Sequence, residues 1–189
     1  MSFNPELHHR RSIRLRGYDY STGGAYFVTI CAWQRECLFG EVVDGALRLN
    51  EAGHLVTATW ESLSERFQTV LLDQHIVMPN HFHGTLVLSG LGAALGLGAA
   101  SSAPTLGLGA ASGLGAASSA PTLGNVVRAF KSISAISINR ALDRQGIPLW
   151  QRNYYERVIR DEQELTAIRQ YIVDNPARWN DDENHPARV

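Results

Sequence analysis

The chain has 189 residues, of which 44% are hydrophobic, and this is enough for one domain with a buried core. Its formal net charge of −1 gives no support to a nucleic-acid partner from overall charge. The sequence shows neither a membrane-length apolar run nor a signal-peptide-like N-terminus, and Cys31 and Cys37 lack the spacing of a disulfide framework or a zinc ribbon. We therefore expect a cytoplasmic protein with reduced cysteines and no membrane partner.

The first half of the chain predicts a basic arm, one helix and three strands. Residues 1–24 form the arm, because the run HHRRSIRLR carries four arginines and no acidic residue. The strands are rich in β-branched and aromatic residues, and the helix begins at Asn50, a residue type that caps helix N-termini. The predicted elements are, in order, a strand over 25–32, a helix over 50–67, and strands over 70–78 and 81–88.

Residues 90–124 consist almost wholly of Gly, Ala, Ser, Leu, Pro and Thr. Within this insert the eleven residues LGAASSAPTLG occur at 97–107 and again, unchanged, at 114–124, a period of 17. The insert has no charged and no aromatic residue, so it buries too little apolar surface to offset the entropy of ordering it. We expect a flexible connector, since two copies are too few to form a repeat fold.

The second half of the chain predicts a helix, a strand and another helix. The first helix, over 125–142, has an apolar stripe, and the strand, over 150–159, alternates polar and apolar residues. Asp161 caps the last helix and Glu164 completes a capping box, while Pro176 ends the helix at about Asn175. Residues 25–180 then form a single domain, and residues 181–189 form a polar tail.

The order β-α-β-β-α-β predicts an α+β fold, namely a ferredoxin-like antiparallel sheet with two helices on one face. The extra C-terminal helix, which carries Tyr171, is the only spare element, so we expect it to cover the other face. On the strand over 81–88, Phe82 alternates with His81 and His83. If Phe82 packs on the two helices, both histidines lie on the face that the C-terminal helix covers.

His81 and His83 form one half of a candidate metal site, because side chains two apart in a strand project from the same face. Tyr171 and Asn175 form the other half, because residues four apart share one face of a helix. A phenol beside two metal-binding imidazoles has the groups needed to break a phosphodiester through a covalent tyrosine.

Plainer interpretations exist for each of these residues. A histidine pair on a strand is more often a surface or hydrogen-bonded feature than a metal site, and a single helical tyrosine is more often a core residue. Tyr154 and Tyr155 are competing nucleophiles, although adjacent aromatic residues in an alternating strand are usually one core and one surface residue. His75, on the neighbouring strand, is expected to be a satisfied sheet histidine.

Basic residues cluster although the overall charge is near zero. Of the 17 basic residues only Lys131 is a lysine, and residues 125–160 hold seven basic residues against two acidic ones. Local basic surface is typical of phosphate binding, and the plainer interpretation is a solvated helix face. The candidate DNA-binding residues are Arg10, Arg11, Arg14, Arg16, Arg128, Lys131, Arg152 and Arg157.

Four sequence blocks resemble one protein family. They are GYDYSTGGAYFVTICAWQRECLFGEV, VMPNHFHG, WQRNYYERVIRDEQEL and YIVDNPARW, and they span nearly the whole chain except the insert. The pattern histidine, hydrophobic residue, histidine is weak alone, but it is specific when it occurs in order with the other three blocks. The chain resembles the single-tyrosine HUH transposases, most closely the REP-associated tyrosine transposases of the IS200-related group.

The resemblance implies that His81 and His83 bind a metal ion, that Tyr171 is the nucleophile, and that Asn175 is a third ligand where other branches carry a glutamine. The implied activity is cleavage and rejoining of single-stranded or hairpin-flanking DNA through a 5′-phosphotyrosine. Magnesium or manganese is the expected ion, because phosphate oxygens and water favour hard metals. The active unit would be a monomer or a homodimer.

Two other functions fit parts of the pattern. A ferredoxin-like sheet with exposed aromatic residues also occurs in RNA-recognition domains, so the alternative is a non-catalytic or domesticated protein that binds single-stranded DNA or RNA sequence-specifically. A metal-dependent hydrolase of small phosphoesters would use the histidines without a covalent tyrosine. Trapping of a covalent protein–DNA adduct separates the transposase from both.

Overall fold

The computed structural model describes residues 24–88 and 121–188. Almost all of the predicted arm over 1–24 and most of the predicted insert over 90–124 lie outside these ranges. No helix in the described ranges is both long enough and apolar enough to span a bilayer. The strands are β1 Gly24–Cys31, β2 Gly40–Val43, β3 Ala46–Leu49, β4 Val70–Met78, β5 His81–Leu88 and β6 Tyr155–Ile159, and the α-helices are α1 Glu51–Glu61, α2 Leu63–Arg66, α3 Leu123–Ala141 and α4 Glu162–Asp174.

Four of the strands form one antiparallel sheet in the order β4-β5-β1-β6. The predicted α+β fold with an antiparallel sheet is confirmed. In this register Thr29 on β1 lies opposite His83 on β5 and opposite Tyr155 on β6. These three residues therefore form one row across the sheet, and the candidate site is built around this row.

The sheet has a hydrophobic layer on each face. On one face, Phe82 of β5 contacts Trp60 of α1 and Phe130 of α3, with ring centroids 4.7 and 4.9 Å from that of Phe82. On the other face, α4 packs Ile172 into a cluster that includes Phe27 of β1. The faces predicted from the alternation along β5 are correct, and both histidines lie on the α4 side.

The helix N-termini follow the predicted caps. Asn50 Oδ1 accepts a hydrogen bond from the backbone N–H of Gly53, 3.0 Å away, and Asp161 Oδ1 accepts one from Glu164, 2.8 Å away. Helix α3 begins at Leu123, inside the range predicted as insert, because Thr122 supplies a cap there. The sequence analysis placed this helix start two residues later, because Leu123 and Gly124 belong to the second copy of the repeat.

Strands β2 and β3 form a hairpin that the sequence analysis missed. Its turn is Asp44-Gly45, with φ angles of 52° and 74°. Asp-Gly between short hydrophobic runs is a recognised hairpin signal, because both turn residues need positive φ, so the sequence contained the information. The hairpin packs against the 3-10 segment Pro176–Asp181 that follows α4 and supports the C-terminal side of the site.

Candidate functional site

Two buried imidazoles face each other at the centre of the α4 side of the sheet. His81 is 0% exposed and His83 is 2% exposed. Their Nε2 atoms lie 3.0 Å apart. This proximity follows from β5 itself, since side chains two apart in a strand project side by side.

Asn80 sets the tautomer of His81. Its side-chain amide donates to the backbone carbonyls of Asn184 and Arg35, at 2.7 and 3.1 Å, so its Oδ1 atom must be directed at the imidazole. Oδ1 can only accept a hydrogen bond, and it lies 2.9 Å from His81 Nδ1. Nδ1 therefore carries the proton, and Nε2 presents a lone pair to the site.

His83 is held in a similar way. Its Nδ1 atom lies 2.8 Å from the Thr29 hydroxyl, and its ring stacks on Phe27 with centroids 5.3 Å apart. The Thr29 hydroxyl can donate or accept, so it is compatible with a proton on Nδ1, the tautomer in which His83 Nε2 also presents a lone pair to the site. In that tautomer the two lone pairs can share a cation, whereas in the other tautomer His83 Nε2–H donates to His81 Nε2 at 3.0 Å.

Both histidines are neutral at pH 7. Burial, with the nearby Arg35 guanidinium, lowers the pKa of His81 to about 3. Burial, and then the neighbouring His81, lowers the pKa of His83 well below its ordinary value of 6.5, against an opposing effect of Asp182. The pair is therefore in the protonation state that metal binding requires.

Helix α4 brings Tyr171 to the histidines, and Asn175 lies within hydrogen-bond distance of the Tyr171 phenol. The Tyr171 hydroxyl lies 3.4 Å from His83 Nε2, and its ring packs edge-on against the imidazole with centroids 5.3 Å apart. Asn175, one helical turn later, is only 3% exposed, and its Oδ1 atom has no hydrogen-bond partner among the described residues.

The pKa of the Tyr171 phenol is raised, chiefly by burial and then by the Asp182 carboxylate. A side-chain hydrogen bond with Asn175 acts in the opposite direction and favours the phenolate. The phenol is therefore protonated at neutral pH in the free protein, and it is 41% exposed, so a substrate can reach its oxygen.

Asp182 is a candidate ligand that the sequence analysis missed, because it falls in the predicted polar tail. Its Oδ2 atom lies 3.8 Å from His81 Nε2, and its side chain is 6% exposed. Since His81 is neutral, this contact is a carboxylate beside a lone pair rather than an ion pair. One ligand atom each from His81, His83 and Asp182 lie within 4.8 Å of one another.

The segment 182–184 is part of the folded site. Asn184 is 5% exposed, and its backbone carbonyl accepts the hydrogen bond from Asn80. Arg35 donates to the backbone carbonyl of Glu183 at 2.8 Å. No sequence spacing predicts these contacts, since each joins residues more than a hundred positions apart.

The donor set fits a divalent cation. Two nitrogens that bind one ion at right angles, each at about 2.1 Å, lie about 3.0 Å apart, which is the separation of the two Nε2 atoms. The carboxylate of Asp182 adds an oxygen donor, and Asn175 carries a buried Oδ1 without a partner among the described residues. A mixed nitrogen and oxygen set of this kind suits magnesium or manganese as well as zinc.

Some of the other sequence-predicted residues lie elsewhere. His75 is on the opposite face, against Trp60 and Phe82, where burial lowers its pKa. Tyr154 packs at the edge of the main core, whereas Tyr155 is 48% exposed beside the candidate site. Tyr171, by comparison, contacts the candidate metal ligand His83 directly.

The predicted DNA-binding residues fall into four groups, of which the first three are all arginines. Arg10, Arg11, Arg14 and Arg16 lie outside the described residues. Arg128 and Arg152 are exposed, and neither forms an ion pair with another described residue. Arg157 is exposed, but its Nε donates to Glu164 at 2.7 Å.

Lys131, the remaining predicted DNA-binding residue, makes hydrogen bonds within the protein. Its ammonium donates to the backbone carbonyls of Gln151, Arg152 and Asn153 at 2.5, 3.1 and 3.3 Å. An ammonium has three hydrogen-bond donors, and all three are directed at these carbonyls. Lys131 therefore fixes a segment beside the site, which also explains why the strand predicted over 150–159 begins only at Tyr155.

Comparison with known proteins places this geometry in context. No family model matches the chain. It is 36% identical over 182 residues to an uncharacterised protein of Haemophilus influenzae, a match that covers 96% of each chain. A solved REP-associated tyrosine transposase bound to a REP hairpin aligns with a TM-score of 0.53 at 16% identity, over 87% of this chain and 73% of that one. A candidate transposase from Deinococcus radiodurans aligns with a TM-score of 0.46 at 18% identity, over 85% and 95% of the two chains.

Proposed function

The chain belongs to one family with the Haemophilus influenzae protein and has the fold of the REP-associated tyrosine transposase, and on this premise we propose that it is a metal-dependent tyrosine transposase. It cleaves and rejoins single-stranded DNA beside a hairpin through a covalent 5′-phosphotyrosine. His81, His83 and Asn175 would hold the ion, and Asp182 would add a carboxylate to the same set. Tyr171 is the nucleophile.

The contact between Tyr171 and His83 carries this proposal. The phenol oxygen lies 3.4 Å from an imidazole nitrogen whose partner nitrogen, on His81, is 3.0 Å further on. A nucleophile has to lie close to the cation that activates the phosphodiester it attacks. The position of Tyr171 beside the two histidines meets this requirement. A hydrolase that activates water would not need a phenol at this point.

The reaction is a transfer of one phosphoester bond to another. The Tyr171 oxygen forms a bond to phosphorus as the bond from phosphorus to the 3′-oxygen breaks. The phenol loses its proton and the departing oxygen gains one, which leaves a free 3′-hydroxyl and a 5′-phosphotyrosine. Attack by a second 3′-hydroxyl reverses these steps and rejoins the DNA without an external energy source.

The chain's own residues prepare this step. Asn80 and Thr29 orient the two imidazoles, and Asn175 favours ionisation of the phenol through its hydrogen bond. A bound divalent ion would supply positive charge that neutralises the phosphate oxygens and lowers the pKa of the phenol. Burial of both imidazoles excludes water from the pair.

DNA in hairpin form is the proposed substrate. The structurally similar transposase is bound to a REP hairpin. On this chain, exposed Arg128 and Arg152 offer two guanidinium groups to phosphates at the edge of the sheet near the site. Magnesium or manganese is the proposed ion.

Covalent trapping tests the proposal. End-labelled hairpin DNA with single-stranded flanks is incubated with the full chain and Mn²⁺, and the products are separated on a denaturing gel. We expect a protein–DNA adduct whose label maps to the peptide containing Tyr171. Tyr171→Phe removes only the attacking oxygen, so it should abolish the adduct and retain DNA binding.

Tyr154→Phe and Tyr155→Phe are the matched controls, and both should form the adduct. An adduct that maps to either of these tyrosines would overturn the assignment of Tyr171. DNA binding without any adduct would favour the non-catalytic binding protein instead.

A further inference from the structure

Residues 150–155 run between two pockets at the β6 edge of the sheet. One pocket, of about 400 Å³, opens beside Tyr171. The other, of about 480 Å³, lies on the α3 side beside Arg128. The first is lined by Gln151, Asn153 and Tyr155, the second is lined by Trp150 and Arg152, and Tyr154 lines both.

This segment is held rigidly although only its last residue, Tyr155, belongs to a strand. Lys131 binds three successive carbonyls of it, and the Trp150 indole N–H donates to Ser134 at 2.9 Å inside the core. Both anchors belong to α3. The side chains that line the two pockets are therefore positioned before a ligand arrives, which reduces the entropy lost on binding.

The pocket beside Tyr171 carries unused recognition groups. The carboxamides of Gln151 and Asn153 make no hydrogen bond to another described residue, and the Tyr155 side chain is 48% exposed. An exposed aromatic ring offers a stacking surface, and carboxamides can both donate to and accept from the edge of a base.

We propose that this pocket binds the nucleobase next to the scissile phosphodiester, with Tyr155 stacking on the base and Gln151 and Asn153 hydrogen-bonding its edge. The proposal rests on the proposed function, because it takes Tyr171 as the point of attack. Tyr155 lies in the same row of the sheet as Thr29 and His83, so a strand cleaved at Tyr171 passes over it.

The charge of the pocket favours a base over a phosphate. Its lining contains no lysine or arginine among the described residues, and it includes the carboxylate residue Glu183. Phosphates are instead attracted to the groove on the other side of the segment, which Arg128 and Arg152 line. The segment thus separates base contacts from backbone contacts.

The test compares two fluorescein-labelled hairpins with the full chain and Mn²⁺. One hairpin carries an all-thymidine flank, and the other carries an abasic flank of the same length. Tyr155→Ala should weaken binding of the thymidine hairpin about 5- to 150-fold, the range expected for one stacked base. It should leave binding of the abasic hairpin unchanged, and Tyr155→Phe should bind both hairpins like the wild type.

Arg152→Ala is the control for charge, and it should weaken binding of both hairpins equally. If Tyr155→Ala lowered the affinity for both hairpins equally, or for neither, the proposed base pocket would be overturned. The covalent adduct at Tyr171 would still support the transposase in that case. Wild-type protein that binds neither hairpin would overturn both. A third hairpin, with a uridine RNA flank, should bind no more tightly than the thymidine hairpin, and tighter binding would overturn the assignment to DNA.

Discussion

Acid should destabilise the metal-free protein through its buried histidines. His81 is fully buried and its pKa is about 3 in the fold against an ordinary value of 6.5. Below about pH 6.5 the His81 imidazole becomes protonated in the unfolded chain, whereas in the folded chain it stays neutral until about pH 3. Between these pH values the protein therefore binds one proton when it unfolds, and the free energy of unfolding falls as the pH falls.

The size of this effect follows from the shift. Each pH unit inside the window changes the free energy of unfolding by about 1.4 kcal/mol for one group. Between pH 7 and pH 5, His81 alone should account for about 2 kcal/mol, since the unfolded imidazole titrates in this interval and the folded one does not. His83 acts in the same direction, because its pKa is also lowered. A loss of about 2 kcal/mol corresponds to about 4 to 8 °C in Tm for a domain of this size.

This loss of stability on acidification is measured by thermal unfolding, followed by circular dichroism in the presence of a chelator. The wild type is compared at pH 7 and pH 5 with His81→Gln, which cannot titrate, and with His54→Gln, which changes an exposed histidine on α1. We expect His81→Gln to lose Tm less steeply on acidification than the other two proteins. Equal loss of Tm in all three would refute the argument, since carboxylate titration is common to them.

Four further outcomes test other parts of the structure. Asn80→Ala should weaken Mn²⁺ binding about 10- to 100-fold in calorimetry, because His81 loses the partner that fixes its tautomer; unchanged affinity would leave Asn80 without that role. Lys131→Met should lower the free energy of unfolding by about 2 kcal/mol, since three carbonyls lose a charged donor. Arg128→Met, on the same helix but exposed, should change stability by less than about 0.5 kcal/mol, and the opposite ranking would show that Lys131 is not structural. Deleting residues 97–114 should shift Tm little, because halving a loop changes its closure free energy by about 0.6 kcal/mol; a loss of several degrees would show that the insert packs.

The sequence alone determined which residues share a face. Alternation along β5 separated Phe82 from the two histidines, and the four-residue spacing in α4 placed Tyr171 and Asn175 together. The caps at Asn50 and Asp161 were equally local, since each involves residues three apart. Such features were predictable because backbone geometry fixes them within a few residues. The Asp44-Gly45 turn belongs with them, although it was overlooked.

Only the tertiary structure decided which groups meet across the chain. Asp182 approaches His81 from a segment that looks like a polar tail, and Lys131 is directed at carbonyls twenty or more residues away. The sequence does not show which group a charged side chain will bind. A lysine whose ammonium binds phosphate and a lysine whose ammonium binds backbone carbonyls are the same residue in the sequence. Burial and long-range packing make that choice, and they depend on the whole fold.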